Sequence, residues 1–391
     1  YSRRAKLLLL WEQGVPEDEI ATRVNLTTRR VRYWKQAFNK QGLNIFPGNI
    51  LQSAQDQIKA REPLPTERVR QEIKLPKKRK KPGVQREDPM SEAGRKVLLF
   101  HFIRMLNHEP GTRQGDDIEE LHDMRVATRR MRSAFRVFRP FFKRDLQTTY
   151  LKGLRRTGRA LGGVRDLDVF MEKARNYLEK LPDNERADLD PLLQIWQQER
   201  ENARRKMLTH LDGKNYQQFV QKFGVFLTSE GMGARKPRKN KPAVHRVYQA
   251  APKLIYTRYA VLRGYDAILE GAPLETLHAL RIDCKRFRYT LEFLQEALGA
   301  NAKDVIEETV IVQDHLGDLN DADVACQILI GYLDQWSEEG RRERINIGGV
   351  TRYLVAKQSE LRALVDTFPQ TWQRFTRPEV RKALAMSVAE L

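Results

Sequence analysis

Apolar residues recur along this chain at three- and four-residue intervals, the period of helices with one buried face. In residues 1–46 the pattern divides at Gly14 and again near Leu26, predicting three short helices: Ala5 to Gln13, Pro16 to Val24 and Thr28 to Lys40. Ala21, Val24, Leu26, Val31 and Trp34 would supply their core. The periodicity then lapses. Residues 47–90 are rich in Pro, Gln, Glu and Lys and read as a flexible linker, too polar to offset its own ordering entropy. From Ser91 the helical period returns as Glu92 to Asn107, Glu119 to Phe138, Leu146 to Leu161, Asp166 to Leu181, Leu189 to Leu211 and Tyr216 to Leu227. Pro110-Gly111, Pro140 and Gly162-Gly163 are the expected breaks. A basic, Pro-rich gap from Gly231 to Pro242 precedes Val244 to Leu269, Leu274 to Leu298, Ala302 to Leu316, Asp321 to Gly340 and two further helices. No segment alternates with a strand's period of two. The expected fold class is all-α, with a small domain at 1–46 and a large one at 91–390, its halves 91–230 and 243–390.

Two of the predicted helices carry one pattern of cations. Leu121, His122, Arg125, Arg129, Arg130 and Arg132 lead to Phe138; 156 residues later Leu277, His278, Arg281, Lys285, Arg286 and Arg288 lead to Leu294. At about 100° per residue, Arg125, Arg129, Arg132 and Arg136 fall within roughly 80° of His122. Leu121, Met124, Met131, Phe135 and Phe138 fall on the adjoining face, free to pack a core. His278, Arg281, Lys285 and Arg288 form the matching stripe, beside Leu277, Leu280, Phe287, Leu291 and Leu294. A second pair of blocks follows in the same order at an offset of 155 residues. Leu161-Gly162 with Asp166-Leu167-Asp168-Val169 matches Leu316-Gly317 with Asp321-Ala322-Asp323-Val324. Ordered repeats of this kind mark a duplicated structural unit.

Composition sharpens this into a partner class. The 391 residues hold 71 Lys+Arg against 51 Asp+Glu, a net charge of +20 that favours polyanions. The excess is concentrated: residues 1–90 carry 20 basic and 10 acidic residues, and residues 122–165 carry 13 and 2. Lys152, Arg155, Arg156 and Arg159 extend the first stripe onto the next helix, within roughly 100° of one another. Guanidinium groups meet phosphate oxygens through paired, charge-assisted hydrogen bonds and stay charged at any physiological pH. A row of them suits a repeating anion better than a small molecule. Asp166, Asp168, Asp321 and Asp323 are candidates to compensate the stripes and fix their rotamers. The halves are unequal, since Ala302 to Leu316 offers Lys303 against Glu307, Glu308 and Asp314, and Glu292 stands where the first stripe has Arg136. Cys284 and Cys326 are too few for a disulfide framework and read as reduced core residues. No apolar run approaches a membrane span, and the cytosol is the expected location.

The N-terminal residues resemble the helix-turn-helix units of transposase-like and regulator proteins. The resemblance rests on Gly14, Glu19-Ile20-Ala21, Arg29, Val31 and Trp34. It implies that the third helix enters the major groove of DNA, offering Thr28, Arg29, Arg32 and Lys35. A small interaction module with a basic face is the alternative. The Lys77-Lys78-Arg79-Lys80-Lys81 run would touch phosphates without specificity.

The larger domain resembles the CHAD family, the conserved histidine α-helical domain. His122 and Arg125 with Arg129, Arg130 and Arg132 carry that resemblance, as do His278 and Arg281 with Lys285-Arg286-Phe287-Arg288-Tyr289, and the two Asp-x-Asp-Val blocks. It covers about residues 91–390. It implies two four-helix bundles related by a pseudo-two-fold around a basic channel, and binding of inorganic polyphosphate without catalysis. Some relatives are fused to a triphosphatase whose strands carry Glu-x-Glu-x-Lys; that motif is absent here, as are the P-loop, the Gly-x-Ser-x-Gly elbow and the zinc-protease pair. No cofactor is expected. His122 and His278 have arginine neighbours that oppose a metal cation, and Asp314, His315, Asp318 and Asp321 read as helix-end caps rather than ligands. The expectation is a polyphosphate-binding protein, free or on polyphosphate granules, with duplex DNA a second partner of the N-terminal unit. The alternative is a DNA-binding regulator whose helical region is a scaffold or general nucleic-acid clamp.

Overall fold

The computed structural model describes residues 2–24, 26–41, 65–77, 79–182, 185, 189–235, 245–338 and 347–391. Among them every regular element is helical, and the β contacts are two isolated bridges, Pro89 with Arg246 and Phe142 with Ala234. The expected Gly231–Pro242 gap falls largely outside the described residues, as do residues 47–64 of the expected linker and Lys78 of its basic run. The chain divides into two units, residues 1–64 and 65–391.

In the first unit, α1 (Ser2–Glu12), α2 (Glu17–Val24) and α3 (Thr28–Gln41) match the predicted trio. Gly14, at a φ of 74°, makes the left-handed turn after α1 that glycine adopts without steric cost. Thr27 caps α3, its Oγ1 accepting from the Arg30 N–H at 3.2 Å. Leu7, Leu10, Ile20, Ala21, Val24, Val31 and Trp34 close the core, and Leu26 packs against its edge.

The second unit begins earlier than the sequence suggests. Pro65–Glu72 forms α4, and Ile73, Leu75 and Val84 after it pack on the helical body instead of running free. Three apolar anchors explain the difference. Val69 and Val84 are buried and Ile73 packs against the core, while Glu296 accepts hydrogen bonds from the N–H groups of Gly83 and Val84 at 2.8 and 3.0 Å. Short apolar anchors spaced by charges give no helical period, so composition alone hides them.

Among the described residues ten α-helices follow: α5 (Met90–Gln114), α6 (Ile118–Val137), α7 (Arg144–Leu178), α8 (Asp190–Asp212), α9 (Lys214–Thr228), α10 (Val247–Arg263), α11 (Leu274–Leu294), α12 (Ala302–Glu338), α13 (Ile347–Phe375) and α14 (Pro378–Ala389). Each half has a stripe helix, a long helix, the long helix's antiparallel partner and a shorter closing helix: α6, α7, α8 and α9, then α11, α12, α13 and α14. α5 and α10 pack on the stripe helices, and α6 meets α11 directly.

Three expected breaks are absent. α5 passes through Pro110 and ends at Gly115, whose φ of 80° and N–H bond to the Gly111 carbonyl make a left-handed cap. α7 runs 35 residues through Gly162-Gly163, and α12 runs 37 residues through Gly317. A glycine costs a helix interior about 1 kcal/mol relative to alanine, but tertiary packing outweighs propensity here. Gly162 lies beside Arg125 and Gly163 beside Ala203 of α8, each at ordinary contact distance. Asp318 and Asp321, expected to cap helix ends, are therefore mid-helix. His315 is held by structure: its ring nitrogens meet Thr371 Oγ1 at 2.8 Å and the Leu364 carbonyl at 2.7 Å.

One continuous core passes from Val69 through both halves to Val388. A second core joins the distal ends of the long helices, where Met171 and Leu178 of α7 and Trp196 of α8 pack with Leu329 of α12 and Tyr353 of α13.

Candidate anion-binding site

The stripes face one another because the apolar positions beside them are what the core takes up. Leu121, Met124, Met131 and Phe135 are buried on α6, and Leu277, Leu280, Phe287 and Leu291 on α11. A helix fixed by that face must turn the next face toward its neighbours. On α6, Arg132 lies among Arg125, Arg136, Arg155 and Arg159. Burial first, then those four guanidiniums, hold it below its ordinary value. Gly158 of α7 lies against its guanidinium, a Cβ there falling 3.5 Å from the Arg132 Nη1. The stripe of α6 and the basic turn of α7 are thus one charged surface.

The second stripe joins it at Arg129. Arg281 is lowered by burial, opposed by Asp321 and reinforced by Arg129. Lys285 is pushed down to about 7 by burial first, then by Arg281, Arg129 and Arg288, with Asp321 opposing. The Nε donors of Arg129, Arg281 and Arg288 are buried without a hydrogen-bond partner. Native structures seldom leave such donors unpaired, and these three collect where α6 meets α11.

Not every cation of the repeat is in this cluster. Arg130 turns away: its Nη2 is 2.9 Å from Glu292 Oε2, an ion pair without hydrogen-bond alignment, and its guanidinium lies over Tyr289 at 5.5 Å. It lines a separate cavity of about 410 Å³ with Lys80, Lys81, His101, Glu292 and Phe293. Arg286 bonds Asp283 at 2.7 Å and lies near Arg258, and Arg156 lies near His210. Adjacent residues on a helix are separated by about 100°, so the second member of each Arg129-Arg130 and Lys285-Arg286 pair leaves the shared face. Lys152, Arg155, Arg159 and Arg136 are exposed, while His122 and His278 are half-buried. His278 Nε2 is 3.3 Å from Asp323 Oδ2.

The expected compensating acids all lie mid-helix, with mixed partners. Asp166 bonds Arg125 at 2.9 Å, and Asp323 meets His278 as above. Asp168 instead bonds Arg200 of α8 at 2.6 Å, and Asp321 bonds Lys173 of α7 at 3.0 Å. Asp166 is raised by burial, with Arg125 opposing and Asp321 reinforcing, so the two repeated Asp blocks lie close together. Two basic residues went unmarked in the sequence. Arg165 is buried at 3% exposure beside Glu119, and Lys173 reaches across to the other half. Arg165 stands directly before Asp166, and that position was its only signal.

In the N-terminal unit, Glu17 holds two of the four expected DNA-contacting residues. Its carboxylate accepts from Arg32 Nε at 2.6 Å and Lys35 Nζ at 2.9 Å, and these bonds draw its own titration below the usual range. Lys35 also lies 4.9 Å from the Trp11 ring. Arg29 is exposed and Thr28 half-buried.

Comparison with known proteins agrees with both units. Residues 96–329 match the CHAD domain model, and residues 1–45 match a homeodomain-like domain. Two curated relatives, Uncharacterized protein MT2285 of Mycobacterium tuberculosis strain CDC 1551 and Uncharacterized protein Rv2226 of strain H37Rv, are each 26% identical over 224 residues. That match takes in 56% of this chain but 41% of each relative's length. The CHAD domain structure from the plant Ricinus communis superposes with a TM-score of 0.56 at 22% identity, covering 74% of this chain and 93% of that one. PptA from Streptomyces chartreusis gives 0.55 at 16% identity, covering 73% and 100%. At these identities the likeness is one of fold. Among the described residues no helix is long and apolar enough to cross a membrane. With a family model matching well over half its length, the chain belongs to the CHAD family and carries a homeodomain-like unit in front.

Proposed function

We propose that residues 65–391 bind inorganic polyphosphate along the surface built by α6, α7 and α11, without catalysis of their own. The observation that carries this reading is the junction of the stripes. Arg129, Arg281 and Lys285 meet there, continuous with Arg125, Arg132, Arg155 and Arg159, and the buried Nε donors of Arg129 and Arg281 have no hydrogen-bond acceptor. A surface of like charges is self-repelling, and a chain of phosphates relieves that repulsion along its whole length. Membership of the CHAD family supports the choice of polyphosphate among polyanions. A scarcity of aromatic rings among the stripes disfavours stacked bases. The homeodomain-like unit is the proposed DNA-binding part, with Arg29 and Arg32 its exposed cations, and the protein is proposed to act in the cytosol or at polyphosphate granules.

The homeodomain-like match favours a second reading, a DNA-binding regulator whose helical region is a scaffold or general nucleic-acid clamp. Calorimetry separates the two. Long-chain polyphosphate is titrated into the full chain and its Arg125→Ala/Arg129→Ala/Arg132→Ala variant, with duplex DNA as competitor. Loss of affinity by at least a hundredfold, from three charge-assisted contacts of roughly 1.5 kcal/mol each, with no competition from DNA at the variant surface, supports the polyphosphate reading. Equal displacement by DNA overturns it in favour of the general clamp.

A further inference from the structure

The stripes gather cations with few aromatic rings, but one other place on the second unit brings the two together. The cavity of about 410 Å³ beside Arg130 is walled by Phe100 and His101 of α5, Phe293 of α11 and Leu298. The His101 ring meets those of Phe100 and Phe293 edge to face, at 5.0 and 6.0 Å between centres. Tyr289 stacks on Phe293 at 5.7 Å, with the Arg130 guanidinium over its own ring. Lys80 and Lys81 stand at the cavity, exposed and without a carboxylate partner among the described residues. The N–H bonds of Gly83 and Val84 to Glu296 tie their segment down and occupy that carboxylate. Glu292 lies between Arg130 and Arg288, at 2.9 and 3.6 Å, so the three together keep one positive charge. The cavity therefore combines an aromatic wall with a surplus of cations.

Polar atoms are also left open here. His101 is 2% exposed, and its Nδ1, the Tyr289 hydroxyl and Glu292 Oε2 are buried without hydrogen-bond partners. Native structures seldom leave such groups unpaired, and all three lie in or directly behind one wall. Burial first, then Arg130 and Arg104, hold His101 well below its ordinary value. Its ring is neutral at pH 7 and offers one donor and one acceptor. We propose that this cavity binds a purine nucleoside monophosphate, its base lying against Phe100 and Phe293 and its phosphate meeting Lys80 and Lys81. The volume falls within the range of small-molecule sites, roughly 300–1,000 Å³. Aromatic faces stack on bases, and the amino group of adenine or guanine can donate to Glu292 Oε2. The lysines meet phosphate oxygens through charge-assisted bonds. Inorganic phosphate or polyphosphate would leave the rings uncovered, and a neutral aromatic compound would leave the lysines unmet. Arg125, Arg129 and Arg132 do not line the cavity, so the proposal stands apart from the polyphosphate reading.

The test is calorimetry on the full chain with adenosine and guanosine monophosphates at near-physiological salt. Each is expected to bind about tenfold more tightly than ribose 5-phosphate, which lacks the base, and than adenosine, which lacks the charge. Lys80→Ala/Lys81→Ala should weaken binding about tenfold and leave the melting temperature unchanged, since both side chains are exposed. Ala300→Trp, at an exposed position of the cavity wall, should close the site and abolish binding. The Arg125→Ala/Arg129→Ala/Arg132→Ala variant should bind both nucleotides as the unaltered chain does. The proposal is overturned by no binding of either nucleotide, or by equal binding of ribose 5-phosphate, adenosine or uridine monophosphate. Binding that survives Ala300→Trp, or that is lost with the stripe arginines, overturns it as well. Polyphosphate is titrated beside the nucleotides. A chain that takes up purine nucleotides and not polyphosphate removes the polyphosphate reading and keeps this one. Uptake of polyphosphate alone does the reverse.

Discussion

Asp166 is a carboxylate set among cations that are proposed to hold anions. It bonds Arg125 at 2.9 Å while remaining 55% exposed at its side chain, and burial lifts its titration despite that partner. An ion pair this open contributes roughly 0–1 kcal/mol to stability, yet it competes with any phosphate for the same guanidinium. Asp166→Asn is therefore expected to leave the melting temperature nearly unchanged and to tighten polyphosphate binding about two- to fivefold at low salt. Weaker binding in the variant would show that Asp166 orients Arg125 productively. At this scale the sequence was informative about which residue types matter and less so about their partners. The four- and three-residue spacing of Arg125, Arg129 and Arg132, and the four-residue spacing of Arg281 and Lys285, places them on one face whatever surrounds the helix. Asp168 could not be matched to Arg200 in the same way, because the pairing depends on how α8 docks. Arg130 and Arg286 looked equivalent to their neighbours as cations, but each stands about 100° round its helix from the stripe, and the structure adds that they meet Glu292 and Asp283.

At the scale of elements, the helices were legible and their ends were not. Gly162-Gly163 and Pro110 are ordinary stop signals, yet the helices run on through all three. Gly162 and Gly163 are covered by Arg125 and by α8 respectively. The stretch from Pro65 to Pro89 was misjudged for the opposite reason, since its few apolar residues lie too far apart to show a period. Their burial has a measurable consequence. A fragment starting at residue 91 loses the buried Val69 and Val84 and both bonds to Glu296. Two buried valines are worth up to about 1.5–3 kcal/mol each, so this fragment is expected to melt several degrees below one starting at residue 65. Identical melting curves would mean that the segment is not anchored in solution.

For the whole molecule, duplication gives two stripes but not two equal sites. α7 adds Lys152, Arg155 and Arg159 to the first, whereas the start of α12 carries Glu307 and Glu308, the latter bonded to Arg374 at 2.7 and 2.8 Å. Glu292 lies beside Arg130 and Arg288. Replacing Arg125, Arg129 and Arg132 with alanine should therefore weaken polyphosphate binding roughly tenfold more than replacing Arg281, Lys285 and Arg288, and should reduce the salt slope more steeply. Equal losses would place the ligand symmetrically across the halves.

The unbroken α7 and α12 carry a further consequence. Helices of 35 and 37 residues extend about 52 and 55 Å, and their far ends are clamped together by the second core. The helices that carry the charged surface are thus braced at both ends, and the proposed site would keep a fixed length for a longer guest. On the proposed function, a phosphate polymer that outruns it would gain nothing further from the same molecule, and its overhang would be open to the next one. Long polymers would then collect the protein like beads on a thread, with the number of beads reporting the length of the thread.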